Sequence, residues 1–139
     1  MKTTIKKMDY EKVMALPRPK HKLPRKPHMF WRVLIRLLTI VGMMGTRFTY
    51  ETEGFEKIGK DEPCLYLMNH SSFIDLEIAA NILYPRSFNI VATTDSFVGK
   101  SWLMRQIGCI PCKKFMREPL LIRDMLHASR KLGNSVVLF

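Results

Sequence analysis

The chain has 139 residues, 47% of them apolar, with a mean hydropathy of −0.06 and a formal net charge of +11. That is enough for one domain with a packed core, and it is not the composition of a protein made mostly of bilayer spans. Three cysteines, Cys64, Cys109 and Cys112, argue against a disulfide framework and suit a reducing compartment.

The charge is unevenly placed. Residues 1–28 carry nine Lys/Arg against Asp9 and Glu11, and residues 29–139 carry fourteen against ten. Pro17, Pro19, Pro24 and Pro27 interrupt any helix through the second half of the basic stretch, which reads as a solvated, disordered tail. Beside an apolar helix such a tail suits an anionic membrane surface, at about 1 kcal/mol per basic residue close to it. A short charged start followed by an apolar core and a small-residue cleavage site is missing, so the stretch is a poor signal peptide.

Residues 29–47 are apolar apart from a stripe that holds Arg32, Arg36 and Thr39. The seventeen residues from Met29 to Gly45 would span only about 25 Å as a helix, short of a crossing and interrupted by two arginines. The pattern predicts an interfacial helix with Phe30 and Trp31 at the headgroups and Arg32 and Arg36 on lipid phosphates. A helix that merely covers the domain core is the competing reading.

Phe48 to Glu53 alternates and predicts a half-buried strand ended by Gly54, followed by a turn at residues 59–63. Cys64 to Met68 reads as a buried strand, residues 75–83 as a helix stopped by Pro85, and Phe88 to Ala92 as the next strand. Thr94-Asp95-Ser96 opens a predicted helix to about Ile107, with Gly99 inside it. A short strand follows over Gly108–Cys112, then a helix from Pro119 to Leu132 with Gly133 as its stop, then a strand over Val136–Phe139. Strands alternating with helices predict an α/β fold, a layered sheet with flanking helices. The implied divisions are a basic tail (1–28), an amphipathic membrane-associated helix (29–47) and the α/β region (48–139). Because the last apolar run is still in progress at Phe139, the sheet is expected to be incomplete at its C-terminus and the chain to be the N-terminal part of a longer protein.

The chemistry concentrates at Asn69-His70-Ser71-Ser72-Phe73-Ile74-Asp75, between an apolar strand and a helix, where open α/β sheets place their sites. Five steps along a helix turn by roughly 500°, so His70 and Asp75 do not share a helix face. They meet only if His70 lies in the loop and Asp75 in the first helical turn, with Ser72 as N-cap. A carboxylate on one ring nitrogen would fix the tautomer and leave the other nitrogen free as a base. Alternatively, Asp75 only caps the helix and His70 is an ordinary loop histidine.

Asn-His-x-x-x-x-Asp after an apolar strand resembles the first motif of the glycerolipid acyltransferases, the 1-acylglycerol-3-phosphate acyltransferases and their relatives. Gly108-Cys-Ile-Pro-Cys-Lys-Lys114 is similar to the family's second motif, and Ser135-Val-Val-Leu-Phe139 to the strand that leads into the third, Pro-Glu-Gly-Thr-Arg, which lies beyond the last residue. The resemblance covers about residues 48–139. It implies acyl transfer from a thioester, acyl-CoA or acyl-carrier protein, to a lysophospholipid hydroxyl on the cytoplasmic face of a membrane, with neither cofactor nor metal. It also implies His70 and Asp75 as catalytic residues, with Asn69, Gly108, Lys113, Lys114 and Arg117 on the substrate side. Lys114 stands where the second motif usually has arginine, so charge is kept without a bidentate fork.

Other readings stay open. Cys109-Ile-Pro-Cys112 has the spacing of a thiol redox motif, although only 27 residues follow it. Cys64 and His127 lack metal spacing relative to it. The basic stretch and apolar helix could serve a non-catalytic membrane-binding module. Nucleic acid is disfavoured as a partner by the lack of base-stacking aromatics, and Ser71 and Ser72 lack the G-x-S-x-G elbow of a serine hydrolase.

Overall fold

The computed structural model describes residues 9–17, 19–45, 48–59, 61–69, 74–113 and 118–139. Among them four strands form one sheet, β1 (Leu65–Leu67), β2 (Phe88–Thr93), β3 (Cys109–Cys112) and β4 (Ser135–Leu138), in the order β1-β4-β2-β3. All neighbours are parallel, with Tyr66 opposite Val137, Ile90 opposite both Val137 and Cys109, and Val91 opposite Ile110. The chain's last strand is therefore a central one, and every carboxyl end points the same way.

Parallel neighbours need crossovers, and the helices supply them. α3 (Ile74–Ile82) joins β1 to β2. A 3-10 turn (Thr94–Phe97) and the short α4 (Ser101–Gln106) join β2 to β3, and α5 (Pro119–Arg130) joins β3 to β4. Two apolar layers result. Ala79 and Leu83 of α3 meet Ile90, Cys109 and Val137 on one face, with Met104 and Ile107 packed beside them. Ala128 of α5 meets Val91, Ile110 and Val136 on the other, together with Leu121 and Met125. The expected layered α/β sheet is present.

Several expectations change. Residues 48–52 form no strand, so β1 is an edge. β1 was also expected to be buried, yet Leu65 and Leu67 are exposed. They point to the α5 face, where α5 packs mainly over β3 and β4. The predicted helix over 94–107 is a 3-10 turn and a six-residue helix, because Gly99 takes a φ of +71° between them.

The basic stretch is not a free tail over its described part. Tyr10–Met14 is a short helix, α1, and residues 19–28 run across the domain. The Arg105 guanidinium donates to the Lys20 (2.8 Å) and Lys22 (3.3 Å) carbonyls, and Asn89 Nδ2 donates to that of Arg25 (3.0 Å). His21 Nε2 lies 3.1 Å from both carboxylate oxygens of buried Asp124, and Pro27 is buried.

α2 (Met29–Gly45) packs on α3 with its polar stripe inward. Arg32 donates to the Pro85 carbonyl at 2.8 Å, Arg36 sits 3.9 Å from the centre of the Tyr84 ring, and Asn81 Nδ2 donates to Thr39 Oγ1 at 2.8 Å. The two arginines expected on lipid phosphates instead hold the turn after α3. Among the described residues no helix is long and apolar enough to cross a membrane.

Candidate active site

The two ends of a parallel sheet are chemically different, because crossover loops at the carboxyl ends are free to carry side chains that the packed layers do not need. β1 ends at Leu67, and Met68 still donates its N–H to the Leu138 carbonyl at 2.9 Å. Asn69 follows, exposed. Asp75 lies in the first turn of α3 and is buried, 5% exposed. Unpaired helix N–H groups and the positive end of the macrodipole favour a carboxylate at that position. A carboxylate so buried is also restricted to few orientations, as the support of a neighbouring base must be.

Strand β3 leaves the sheet at the same end. Lys113 follows Cys112 directly and is half-buried. Asn69, Asp75 and Lys113 thus lie at the same, carboxyl end of the sheet but at its opposite edges, β1 and β3, with β4 and β2 between them, about 14 Å across. Thr94 and Asp95 also leave this end of the sheet, after β2, and Thr94 is buried. The sequence reading used those two only as a helix cap; their place just past a central strand is the signal it passed over. His70, Lys114 and Arg117 lie outside the described residues, as does the Ser72 cap.

Gly108 is at the other end. It precedes β3 while Lys113 follows it, five residues or about 16 Å away along the strand. Its φ is +89°, and a Cβ there would lie 2.6 Å from Pro27 Cγ and 3.1 Å from the Phe88 carbonyl oxygen. The structure does not bring it to Asn69 and Asp75; the glycine is needed where the basic stretch crosses the sheet. Nearby, a shallow open cleft is lined by Pro27, Arg32, Tyr84, Phe88 and Ile107, also at the amino ends and away from Asp75.

The paired-cysteine reading fails on geometry. Cys109 and Cys112 are three residues apart on one strand, so they face opposite layers and their Cα atoms are about 10 Å apart, where a disulfide needs under about 7 Å. Burial raises the Cys109 thiol from 9.0 to about 12, with Lys100 pulling weakly the other way, so it is a packing group and no nucleophile at neutral pH. No cluster of three or more His, Cys, Asp or Glu side chains able to hold a metal occurs among the described residues.

Parallel α/β layers place their sites on the crossover loops at the carboxyl ends of the strands, and the sequence has its histidine-aspartate motif just after β1. Residues 49–139 match the family model described as Acyltransferase, and the chain belongs to that family. It is 29% identical over 121 residues to a chloroplastic 1-acyl-sn-glycerol-3-phosphate acyltransferase of Brassica napus, an alignment covering 83% of this chain and 33% of the relative. The chain therefore spans about a third of the length of that curated relative. No solved structure matches it significantly. The chemistry this supports is acyl transfer in general.

Proposed function

We propose that the protein transfers a fatty acyl group from acyl-CoA or acyl-carrier protein to a lysophospholipid hydroxyl, with 1-acylglycerol 3-phosphate as acceptor and phosphatidic acid as product. The observation that carries this reading is the buried Asp75 in the first turn after β1, inside a segment that matches the acyltransferase family.

His70 takes the proton of the acceptor hydroxyl, and Asp75 orients the ring and stabilises its protonated form. The acceptor oxygen attacks the thioester carbonyl, and the carbon–sulfur bond breaks to release a thiolate. With thiol pKa values near about 8.5 the leaving group needs little protonation, so a base matters more than an acid. Lys113, half-buried at the carboxyl end of β3, offers positive charge to a phosphate, and Lys114 and Arg117 follow it in sequence. Lys113 and Lys114 supply charge as point donors, and Arg117 adds a guanidinium able to pair with phosphate oxygens in a bidentate fork.

The acceptor is a membrane lipid, and the outward side of α2 presents Phe30, Leu37, Leu38, Val41 and Met44 to the surroundings. We place this face on the membrane, with the protein on the cytoplasmic side. Support comes from the inward polar stripe: Thr39 is bonded to Asn81 of α3, Arg32 and Arg36 engage Pro85 and Tyr84 in the turn after it, and the apolar side is left out.

The test is an acyl-transfer assay on membranes from cells expressing the gene's entire reading frame, with labelled acyl-CoA or acyl-carrier protein and 1-acylglycerol 3-phosphate. Labelled phosphatidic acid that His70→Ala abolishes is the expected result. Product formation unchanged by His70→Ala rejects the base, and silence of the wild type with every donor and lysolipid offered favours a non-catalytic membrane-binding module.

A further inference from the structure

The apolar surface of α2 does not end at α2. Trp31 meets Trp102 of α4 edge to face, with ring centres 5.7 Å apart. Trp102 is 65% exposed, Val98 in the preceding turn is 61% exposed, and Leu103 is exposed beside them. Met104 of α4 and Ile107 just past it already reach the core, whereas Val98, Trp102 and Leu103 face outward and belong to neither apolar layer. Single exposed apolar residues are ordinary, but three within six positions, joined by an aromatic contact to a second apolar helix face, make a continuous patch.

The charge along the two segments that form that patch has one sign, while the Glu77 carboxylate of α3 lies against Gly42 near the C-terminal end of α2. From Lys12 to Tyr50 there are nine Lys/Arg and no Asp or Glu, and from Ser96 to Arg117 five and none. The two Arg105 hydrogen bonds hold the Lys20–Lys22 backbone against α4, so the exposed Lys20 and Lys22 lie beside it, and exposed Lys100 opens the helix. An apolar patch with an indole and a rim of lysines, free of carboxylates along both contributing segments, complements an anionic lipid surface.

We propose that Val98–Leu103 is a second membrane contact, which with α2 seats the domain at two points on an anionic bilayer, Trp102 at headgroup depth and Lys20, Lys22 and Lys100 on lipid phosphates. The proposal rests on the reading of α2 as membrane-facing. One helix lying in an interface can roll about its axis, whereas a second contact beside it fixes the roll. The place of Glu77, one turn into α3 and 3.0 Å from where a Cβ on Gly42 would lie, puts the C-terminal part of α2 at the carboxyl ends of the strands. Fixing the roll therefore sets how Asp75 and Lys113 face the lipid.

The protein has two tryptophans, Trp31 and Trp102, which makes the test direct. Two variants are mixed with phosphatidylcholine–phosphatidylglycerol vesicles containing brominated lipid. Trp31→Phe leaves Trp102 as the sole fluorophore; Trp31→Phe with Trp102→Phe and Leu38→Trp reports on α2 instead. Quenching of both is expected. Quenching at position 38 with Trp102 unaffected overturns the second contact and spares the membrane reading of α2, and quenching of neither overturns both. Trp102→Glu should weaken vesicle binding by at least about tenfold, and Trp102→Phe should bind within about threefold of wild type, with unchanged circular dichroism in each. Sedimentation of the vesicle-free protein covers the alternative occupant. If Trp102→Glu dissolves an oligomer but leaves vesicle affinity intact, the patch receives a second copy of the chain and the proposal fails.

Discussion

The amino ends of the strands are tied by buried polar groups, whereas the carboxyl ends release the loops to which we assign the chemistry. At the amino ends Asn134 Nδ2 donates to Asn89 Oδ1 at 2.7 Å, and Asn89 Nδ2 donates to the Gly108 carbonyl at 2.8 Å as well as to Arg25. Both asparagines are fully buried, and Pro27 closes over Gly108. At the carboxyl ends Asn69 is exposed, Lys113 is half-buried, and Asp75 and Thr94 are sealed. Residues at the first end should therefore govern stability with little effect on the intrinsic chemistry, and residues at the second should do the reverse.

The largest expected effect is at the carboxyl end: His70→Ala should lower turnover by about 10²–10⁴ with an unchanged urea midpoint. A matching fall in stability would break the separation. At the amino end, Gly108→Ala should cost about 3 kcal/mol, from a left-handed backbone without glycine and from the clash with Pro27, while turnover per folded molecule stays near wild type. Asn134→Ala should cost about 2 kcal/mol, since it leaves Asn89 Oδ1 buried without its donor. A midpoint shift in urea with the same m value would confirm each.

Smallest at neutral pH, where it vanishes, is a dependence on pH itself. Below pH 9 the Cys109 thiol is neutral in both folded and unfolded chains and its contribution is complete. Between pH 9 and about 12 the unfolded thiol ionises while the buried one cannot, so stability should fall by about 1.4 kcal/mol per pH unit from this group. The difference between wild type and Cys109→Ala in urea titrations isolates it, and parallel curves for the two proteins would contradict it.

Much of the fold was legible because parallel α/β chains alternate apolar strands with amphipathic helices, and β1 to β4 fall within a residue or two of the predicted runs. Phe48–Glu53 misled because alternation records one apolar side, not an available partner strand. The arginines of α2 misled differently: the stripe was visible, but a 3.6-residue period cannot say which side faces protein, and Tyr84, Pro85 and Asn81 decide it. The basic stretch packs through backbone carbonyls at Lys20, Lys22 and Arg25, and a carbonyl acceptor leaves no mark on residue type. His21 is the one side chain there that hints at burial, through Asp124. The place of Asp75 in the first turn of α3 was readable from strand, loop and cap spacing, while Gly108 falls at the other end of its strand, because a motif carries no record of which end it occupies.

The central claim is that His70 and Asp75 act as one unit at the carboxyl end of β1. A double-mutant cycle tests it most directly: kcat/KM for lysophospholipid acylation in wild type, His70→Ala, Asp75→Asn and the double variant, with folding checked in each. If Asp75 works through His70, the double variant should be no worse than His70→Ala alone. Independent, multiplicative losses would contradict the account and leave Asp75 as a helix-capping residue.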